Sequence, residues 1–319
     1  MRCLAVTSGF YATFHAAHLK WEGKRCVDGR TLAYAEYGAS SGNVLFYFHG
    51  GADSRLEARF LAEQAKQAGI RLIGIDRPGM GRSHFQAGRR LLDWPNDVVE
   101  LADSLRIDRF AVVGISGGGP YALACAYKIP DRLTACGIVG GEWHDRHVFS
   151  FLTQFLPWLL IPPLGYFFRD KEHARKSMLR LTPHFPETDR KSLALPEITD
   201  LLTASFVEAF RQGVKGPAYD GMVVRRSWGF EIEEITFPQL YLWHGELDTD
   251  VPVAMGRAVA ERLAHCKATY YPDEGHISLI VNHREEMVTI LMSEAQPLTE
   301  SLSNYKRPTI NAAATTEKI

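Results

Sequence analysis

The chain has 319 residues, 46% of them apolar and 23% charged, with a formal net charge of -1. That length accommodates one large α/β domain with an insertion, or two domains, and the composition is that of a soluble globular protein. The near-neutral balance argues against a nucleic-acid-binding surface. The five cysteines (Cys3, Cys26, Cys125, Cys136 and Cys266) are scattered and lack C-x-x-C spacing. They read as reduced thiols of an intracellular protein, with neither a disulfide framework nor a zinc site.

Residues 1–27 read as an N-terminal extension. Met1 to Lys20 contains no acidic residue and only one arginine, and Thr7-Ser8-Gly9 interrupts its apolar character. A signal peptide needs a more continuous apolar run and a transit peptide more arginine, so a cytoplasmic location is expected, with a targeting peptide as the alternative. After the turn Asp28-Gly29-Arg30, the alternation and aromatics of Thr31 to Tyr37 predict an antiparallel strand. Val44 to Phe48 and Arg71 to Ile75 are continuous apolar runs, as in strands covered on both faces. Between them Ser54 caps a predicted helix ending near Ala68 and Gly69. Asp93 to Leu105 reads as a helix with Pro95 in its first turn.

Arg109 to Val113 is a further buried strand, and Pro120 to about Tyr127 a helix rich in Ala and Leu. Between them stands Gly114-Ile115-Ser116-Gly117-Gly118. Strand, glycine turn and helix in that order are the context of a nucleophile elbow, which holds a serine hydroxyl clear of the backbone at a strand's carboxyl end. The Gly117 N–H, at the start of the helix, would face an oxyanion formed there. Thr134 to Val139 is the next strand, ending at Gly140-Gly141.

From residue 142 to 234 the alternation of strand and helix stops, and helical stretches such as Lys171 to Leu181 and Pro196 to Arg211 lie between proline-rich turns. This block reads as a helical cap inserted into a core of residues 28–141 and 235–295. Its most apolar part, Phe149 to Phe168, approaches the length of a membrane span, but Pro157, Pro162 and Pro163 are expected to break a helix. Cap helices lining an apolar pocket are the main expectation, and an interfacial membrane contact the lesser one. The strand pattern resumes at Pro238 to Trp243, followed by a helix from Val253 to Leu263, a last strand from Lys267 to Tyr271 and a helix from about Arg284. Residues 296–319 are polar and read as a disordered tail.

Such alternation predicts a mostly parallel sheet with helices on both faces, and ligands bind such sheets beyond the carboxyl ends of the strands. His49-Gly50-Gly51, Asp76, Ser116 and Gly140 all fall there. A serine needs a base, histidine suits that role near neutral pH, and the imidazole needs a carboxylate to fix its tautomer. Asp248 follows the penultimate strand and His276 the last, giving the chain order Ser, acid, His. Asp250 and Glu246 stand near Asp248, and Glu142 or Asp145 could serve from the preceding strand. His49 and His244 read as structural residues at strand ends, and Arg77 as scaffold. His144 and His147 are too few for a metal site, so no metal and no cofactor is expected.

The stretches His49-Gly50-Gly51, Asp76 to Ser83, Gly114 to Pro120, Gly245-Glu246-Leu247-Asp248 through Pro252, and Gly275-His276 resemble the cap-bearing α/β-hydrolases. That branch includes proline iminopeptidases, cofactor-free haloperoxidases and carbon–carbon bond hydrolases. The resemblance implies an eight-stranded α/β-hydrolase fold with Ser116 as nucleophile, His276 as base, Asp248 as acid, and the Gly51 and Gly117 N–H groups as oxyanion hole. A serine at the elbow sets aside the aspartate-nucleophile branches, the haloalkane dehalogenases and epoxide hydrolases. Gly117 stands where haloperoxidases carry Met and iminopeptidases Trp. The expected activity is hydrolysis of a small or medium hydrophobic ester, thioester or lactone, with water as the second substrate. A carbon–carbon hydrolase and a non-catalytic small-molecule-binding protein are the alternatives.

Overall fold

The apolar runs of the sequence become the inner strands of one sheet. The computed structural model describes residues 21–143 and 156–294. The readings placed on residues 1–20, His144, Asp145, His147, residues 149–155 and the tail from 296 lie outside them. Eight strands form a single sheet in the order β1-β2-β4-β3-β5-β6-β7-β8. They are β1 (Trp21–Arg25), β2 (Thr31–Gly38), β3 (Val44–Phe48), β4 (Arg71–Ile75), β5 (Phe110–Ile115), β6 (Leu133–Val139), β7 (Leu240–Gly245) and β8 (Cys266–Tyr271). β1 and β2 are antiparallel, β2 runs antiparallel to β4, and every later pairing is parallel. β3, β5 and β7 are buried along their whole length, which is why their sequences are apolar runs without alternation.

Helices cover both faces. The core helices are α1 (Ala62–Gln67), α2 (Trp94–Ser104), α3 (Gly119–Lys128), α9 (Val253–Arg262) and α10 (His276–Ser293). Between β6 and β7 lie α4 (Leu156–Phe167), α5 (Lys171–Leu181), α6 (Glu187–Leu193), α7 (Pro196–Ala209) and α8 (Lys215–Arg225). One core cluster joins Phe46, Phe48, Trp94, Val112 and Tyr121, and a second, on the other face, joins Tyr47, Phe60, Val113, Trp243 and Leu279.

Four expectations are corrected. The extension assigned to residues 1–27 contains β1, which pairs with β2 from Trp21↔Ala35 to Arg25↔Thr31. Its sequence, WEGKR, carries no apolar alternation because it is an edge strand held by backbone bonds. The helix after Ser54 begins as a 3₁₀ segment, Arg55–Leu61, and becomes α-helical only at Ala62. The last helix starts at His276, eight residues before the predicted start. α4 runs through Pro162 and Pro163 instead of ending before them.

Candidate active site

The sharpest turn of the sheet is at Ser116, the residue after β5. Its φ of +50° lies in the left-handed region, which costs a non-glycine residue about 1–3 kcal/mol and persists only where the surroundings impose it. Here they do. A Cβ on Gly114 would lie 2.3 Å from the Gly118 carbonyl oxygen, and one on Gly118 would lie 2.1 Å from that of Phe48. The turn therefore closes only with glycine on both sides of the serine, and α3 then starts with Pro120 in its first turn.

Asp248 and His276 meet at the same end of the sheet, over Gly140 at the end of β6. The Asp248 Oδ2 accepts a hydrogen bond from His276 Nδ1 at 2.6 Å, while Oδ1 accepts the N–H groups of Asp250 at 2.9 Å and Val251 at 2.8 Å. Both side chains pack on Gly140, where a Cβ would stand 3.2 Å from the imidazole and 3.3 Å from Asp248 Oδ2. Of the other acids considered, Glu246 pairs with Arg257 and Glu142 faces Arg225 at 4.0 Å. Burial opposes charge on the His276 ring, but the Asp248 hydrogen bond and the nearby Asp248, Asp250 and Asp189 carboxylates outweigh it, pushing the pKa up to about 9.

The position of His276 is fixed from the insertion. Asp189, on α6, accepts the N–H groups of His276 at 3.0 Å, Ile277 at 3.0 Å and Ser278 at 2.8 Å. A carboxylate there satisfies the unpaired donors of the first turn of α10 and complements its dipole. Gly275 leaves it room, since a Cβ would meet the carboxylate at 2.4 Å.

On the opposite side, the loop after β3 brings Gly51 against the elbow: a Cβ on Gly117 would stand 3.0 Å from the Gly51 nitrogen. A side chain at Gly117 would crowd this loop and push it back by a few tenths of an ångström. The loop is held from beneath by Arg77, fully buried, which donates to the carbonyls of His49 and, at 2.8 Å, Gly50. Arg77 is in turn paired with Asp220 of α8 at 2.9 Å, and Asp220 also takes Arg89 and the Tyr121 hydroxyl. Burial works against the Asp220 charge, yet the two guanidiniums keep its carboxyl below the ordinary carboxylate range.

His49 lies in the same layer. Its Nδ1 bonds the Gly50 carbonyl at 2.9 Å and its Nε2 accepts the Arg77 N–H at 3.2 Å; burial, with Arg77 nearby, holds its pKa well down. His244 is likewise buried, with Nε2 2.8 Å from the Val251 carbonyl. Both fit the structural roles expected of them. The Gly50 N–H donates to the buried Glu57 carboxyl at 2.7 Å, and Glu57 hydrogen-bonds Asp53. Burial pushes both carboxyls up, Asp53 to about 7, with the neighbouring carboxylate adding to the rise at Glu57.

A cavity of about 220 Å³ opens on Gly51 and Gly117 and is lined by Leu160, Ile161, Pro217 and Val224, with Glu142 and Arg225 beside them. A larger depression, about 610 Å³, lies at the amino ends of β3, β4 and β5, around Asn43, Arg71 and Phe110. It is remote from Ser116, and in parallel sheets the carboxyl ends carry the chemistry, so the smaller cavity is the relevant one. Among the described residues, Cys26, Asp97 and Glu100 bring potential metal-ligating atoms together. Asp97 is already engaged by Arg30 at 2.6 Å, and burial pushes the Cys26 thiol up to about 11, so neither is free to act as a ready anionic ligand.

Ser116, His276, Asp248, Gly51 and Gly117, all singled out in the sequence, therefore converge on one end of the sheet. Asp189, Asp220, Asp53 and Glu57 were missed. The first two lie in a helical block without motif spacing and act on residues 87 and more positions away. Asp53 and Glu57 stand in no motif, and the three-dimensional packing buries them.

An eight-stranded, mostly parallel sheet of this order, with a glycine-flanked serine at the end of β5, has known counterparts. The family model described as alpha/beta hydrolase fold matches residues 43–283, and the chain belongs to that family. Over 197 residues it is 29% identical to the uncharacterized hydrolase YcgS of Bacillus subtilis, covering 58% of this chain and 65% of that protein. Over 102 residues it is 33% identical to epoxide hydrolase B of Mycobacterium tuberculosis, 31% of this chain and 28% of that one. The chain thus spans less than two thirds of the length of these curated relatives. The enol-lactonase of Burkholderia xenovorans LB400 shares the fold, with a TM-score of 0.65 at 20% identity over 85% of this chain and 100% of that one. No helix among the described residues is long and apolar enough to cross a membrane.

Proposed function

We propose that the protein is a serine hydrolase acting by acyl transfer on a small ester, thioester or lactone. Ser116 attacks the carbonyl while His276 takes the hydroxyl proton at Nε2; Asp248 holds Nδ1–H and stabilises the imidazolium. The N–H groups of Gly51 and Gly117 receive the oxyanion. His276 then returns the proton to the leaving group, and water, activated by the same ring, releases the acyl group.

The observation that carries this reading is the 2.6 Å Asp248–His276 bond at the same end of the sheet as a serine whose backbone is held at positive φ. The cavity supports the substrate size: about 220 Å³ is below the range usual for drug-sized ligands, and most of its wall is apolar. Epoxide hydrolase B is among the relatives, but a serine in place of an aspartate nucleophile favours acyl transfer over epoxide opening. A fluorophosphonate probe should label the folded protein and fail to label Ser116→Ala. An unlabelled wild type, under conditions where a control serine hydrolase reacts, overturns the proposal. Hydrolysis of p-nitrophenyl esters of increasing chain length, tested beside a ring-cleavage diketone, separates ester from carbon–carbon hydrolysis.

A further inference from the structure

α4 is apolar in sequence all round, and its described side chains divide into a packed face and an open one. Ile161, Gly165 and Phe168, spaced i, i+4 and i+7, face Phe206, Phe210 and Val214; a Cβ on Gly165 would stand 2.3 Å from Val214 Cγ1. Half a turn away, Leu159, Pro163 and Tyr166 repeat the same spacing on the outer face. Leu159 is 71% exposed and Tyr166 60%, with Trp158 and Phe167 also open to solvent. Exposed apolar groups are ordinary singly, but a stripe of them along one helix marks a contact surface.

The stripe runs into positive charge. The Arg169 guanidinium lies 4.7 Å from the centre of the Tyr166 ring, and His173 of α5 packs at its edge. Between residues 169 and 180 there are five basic side chains (Arg169, Lys171, Arg175, Lys176 and Arg180) against Asp170 and Glu172, in a chain whose net charge is -1. Lys176 is bound to Glu172 at 2.6 Å. Lys171, Arg175 and Arg180 are exposed and have no carboxylate partner among the described residues. Leu179, 62% exposed, extends the apolar surface onto α5 between them.

We infer that the outer face of α4 and α5 docks on an anionic lipid bilayer, with Leu159, Tyr166 and Leu179 entering the headgroup layer and Lys171, Arg175 and Arg180 meeting lipid phosphates and carboxylates. Tryptophan, tyrosine and leucine beside lysine and arginine are the composition of helices that lie in a membrane interface. A protein partner would use the same apolar stripe, but the unpaired cations beside it favour a diffuse negative surface. Leu160, half-exposed, belongs both to this face and to the wall of the 220 Å³ cavity. An acyl substrate dissolved in the bilayer would therefore reach the cavity at the docking face; that last point rests on the acyl-transfer reading, whereas the docking does not.

Flotation of the full chain with phosphatidylcholine vesicles, with and without phosphatidylserine, tests the inference. Binding is expected to phosphatidylserine vesicles, and to weaken as salt is raised. Lys171→Gln with Arg175→Gln should weaken it by about fivefold for each charge removed. Leu159→Asp with Tyr166→Asp should abolish it. Both pairs are exposed, so hydrolysis of a soluble p-nitrophenyl ester should stay at wild-type level. Wild type that does not float overturns the inference, as does flotation that both variants retain, which would place the contact elsewhere in the chain. A concentration-dependent dimer, dissolved by Leu159→Asp and formed without vesicle binding, also overturns it in favour of a second copy. Loss of ester hydrolysis in wild type with flotation intact would instead count against the acyl-transfer reading.

Discussion

The two halves of the site are each held by one carboxylate from the inserted helices, and they are held differently. On the histidine side, Asp189 binds only backbone N–H groups, at residues 276–278. On the oxyanion side, Asp220 binds two buried guanidiniums, Arg77 and Arg89. The first arrangement caps a helix start, meeting neutral donors with a fully buried carboxylate. The second neutralises cations that have no other escape from the interior. The contrast extends to the titrating groups. His276 is charged more readily than a free imidazole because carboxylates surround it, while Asp53 and Glu57 are charged less readily because they are buried against each other. One half gathers a proton through charge complementarity, the other through desolvation.

The largest expected effect breaks the histidine half at its centre. Asp248→Asn should lower kcat by about 10⁴-fold, because the Nδ1–H tautomer is no longer held. Asp250→Asn should retain most of the activity, and the opposite ranking would move the acid. Next comes the oxyanion half: Asp220→Ala leaves Arg77 and Arg89 buried without counter-charge and should cost about 3–5 kcal/mol in urea unfolding. A loss below 1 kcal/mol would mean that water reaches the pair and that the half is not sealed as described. Asp189→Ala should cost less, about 1–3 kcal/mol, since its partners are neutral backbone donors rather than guanidiniums. Its signature is a fall in kcat with KM little changed; an equal change in both would make Asp189 a general packing residue.

The pH dependence separates the halves by window. Asp53 binds its proton more tightly folded, at about 7 against an ordinary 3.8, so the folded state holds the extra proton between these values. Stability from this half therefore falls as pH rises from about 4 to 7. His276, at about 9 against 6.5, contributes stability that is complete below 6.5 and is lost as pH rises through 9. Denaturation midpoints across pH should show both declines, Asp53→Asn flattening the lower and Asp248→Asn the upper. Because the base must be neutral to act, kcat/KM should climb with pH toward about 9. A profile already flat from pH 6 would show that solvent quenches the carboxylate field around the ring.

How much of this was legible follows from the range of the interactions involved. The strands Val44–Phe48 and Arg71–Ile75 could be read to the residue, because a strand buried on both faces writes its burial directly into an apolar run. Ser116 and its glycines were legible because strand, glycine turn and helix follow one another in the sequence, although Gly118 is also pressed against the distant Phe48 carbonyl. Asp248 and His276 were legible by chain order alone, since no local pattern separates Asp248 from Asp250; only the packing on Gly140 and the ring nitrogen does. β1 was invisible because an edge strand held by backbone bonds constrains its side chains weakly. Pro162 and Pro163 misled for a related reason: tertiary packing of Ile161, Gly165 and Phe168 overrides a local preference to break the helix. Asp189, Asp220, Asp53 and Glu57 depend on elements brought together from distant parts of the chain, and no spacing rule records them.

The bond from α6 to the start of α10 also bears on how the protein admits a substrate. Raising α6 would strip Asp189 from the N–H groups of residues 276–278, and raising α8 would part Asp220 from the arginine that holds the Gly50 carbonyl. Opening there and disarming are thus a single movement: a gaping cap would hold neither a poised base nor a set oxyanion loop. Traffic is then expected past α4, which is fastened to its neighbours by apolar contacts such as Gly165 on Val214. On the proposed function, access to the pocket would then be governed by contacts other than those that hold the candidate base and the Gly51 loop.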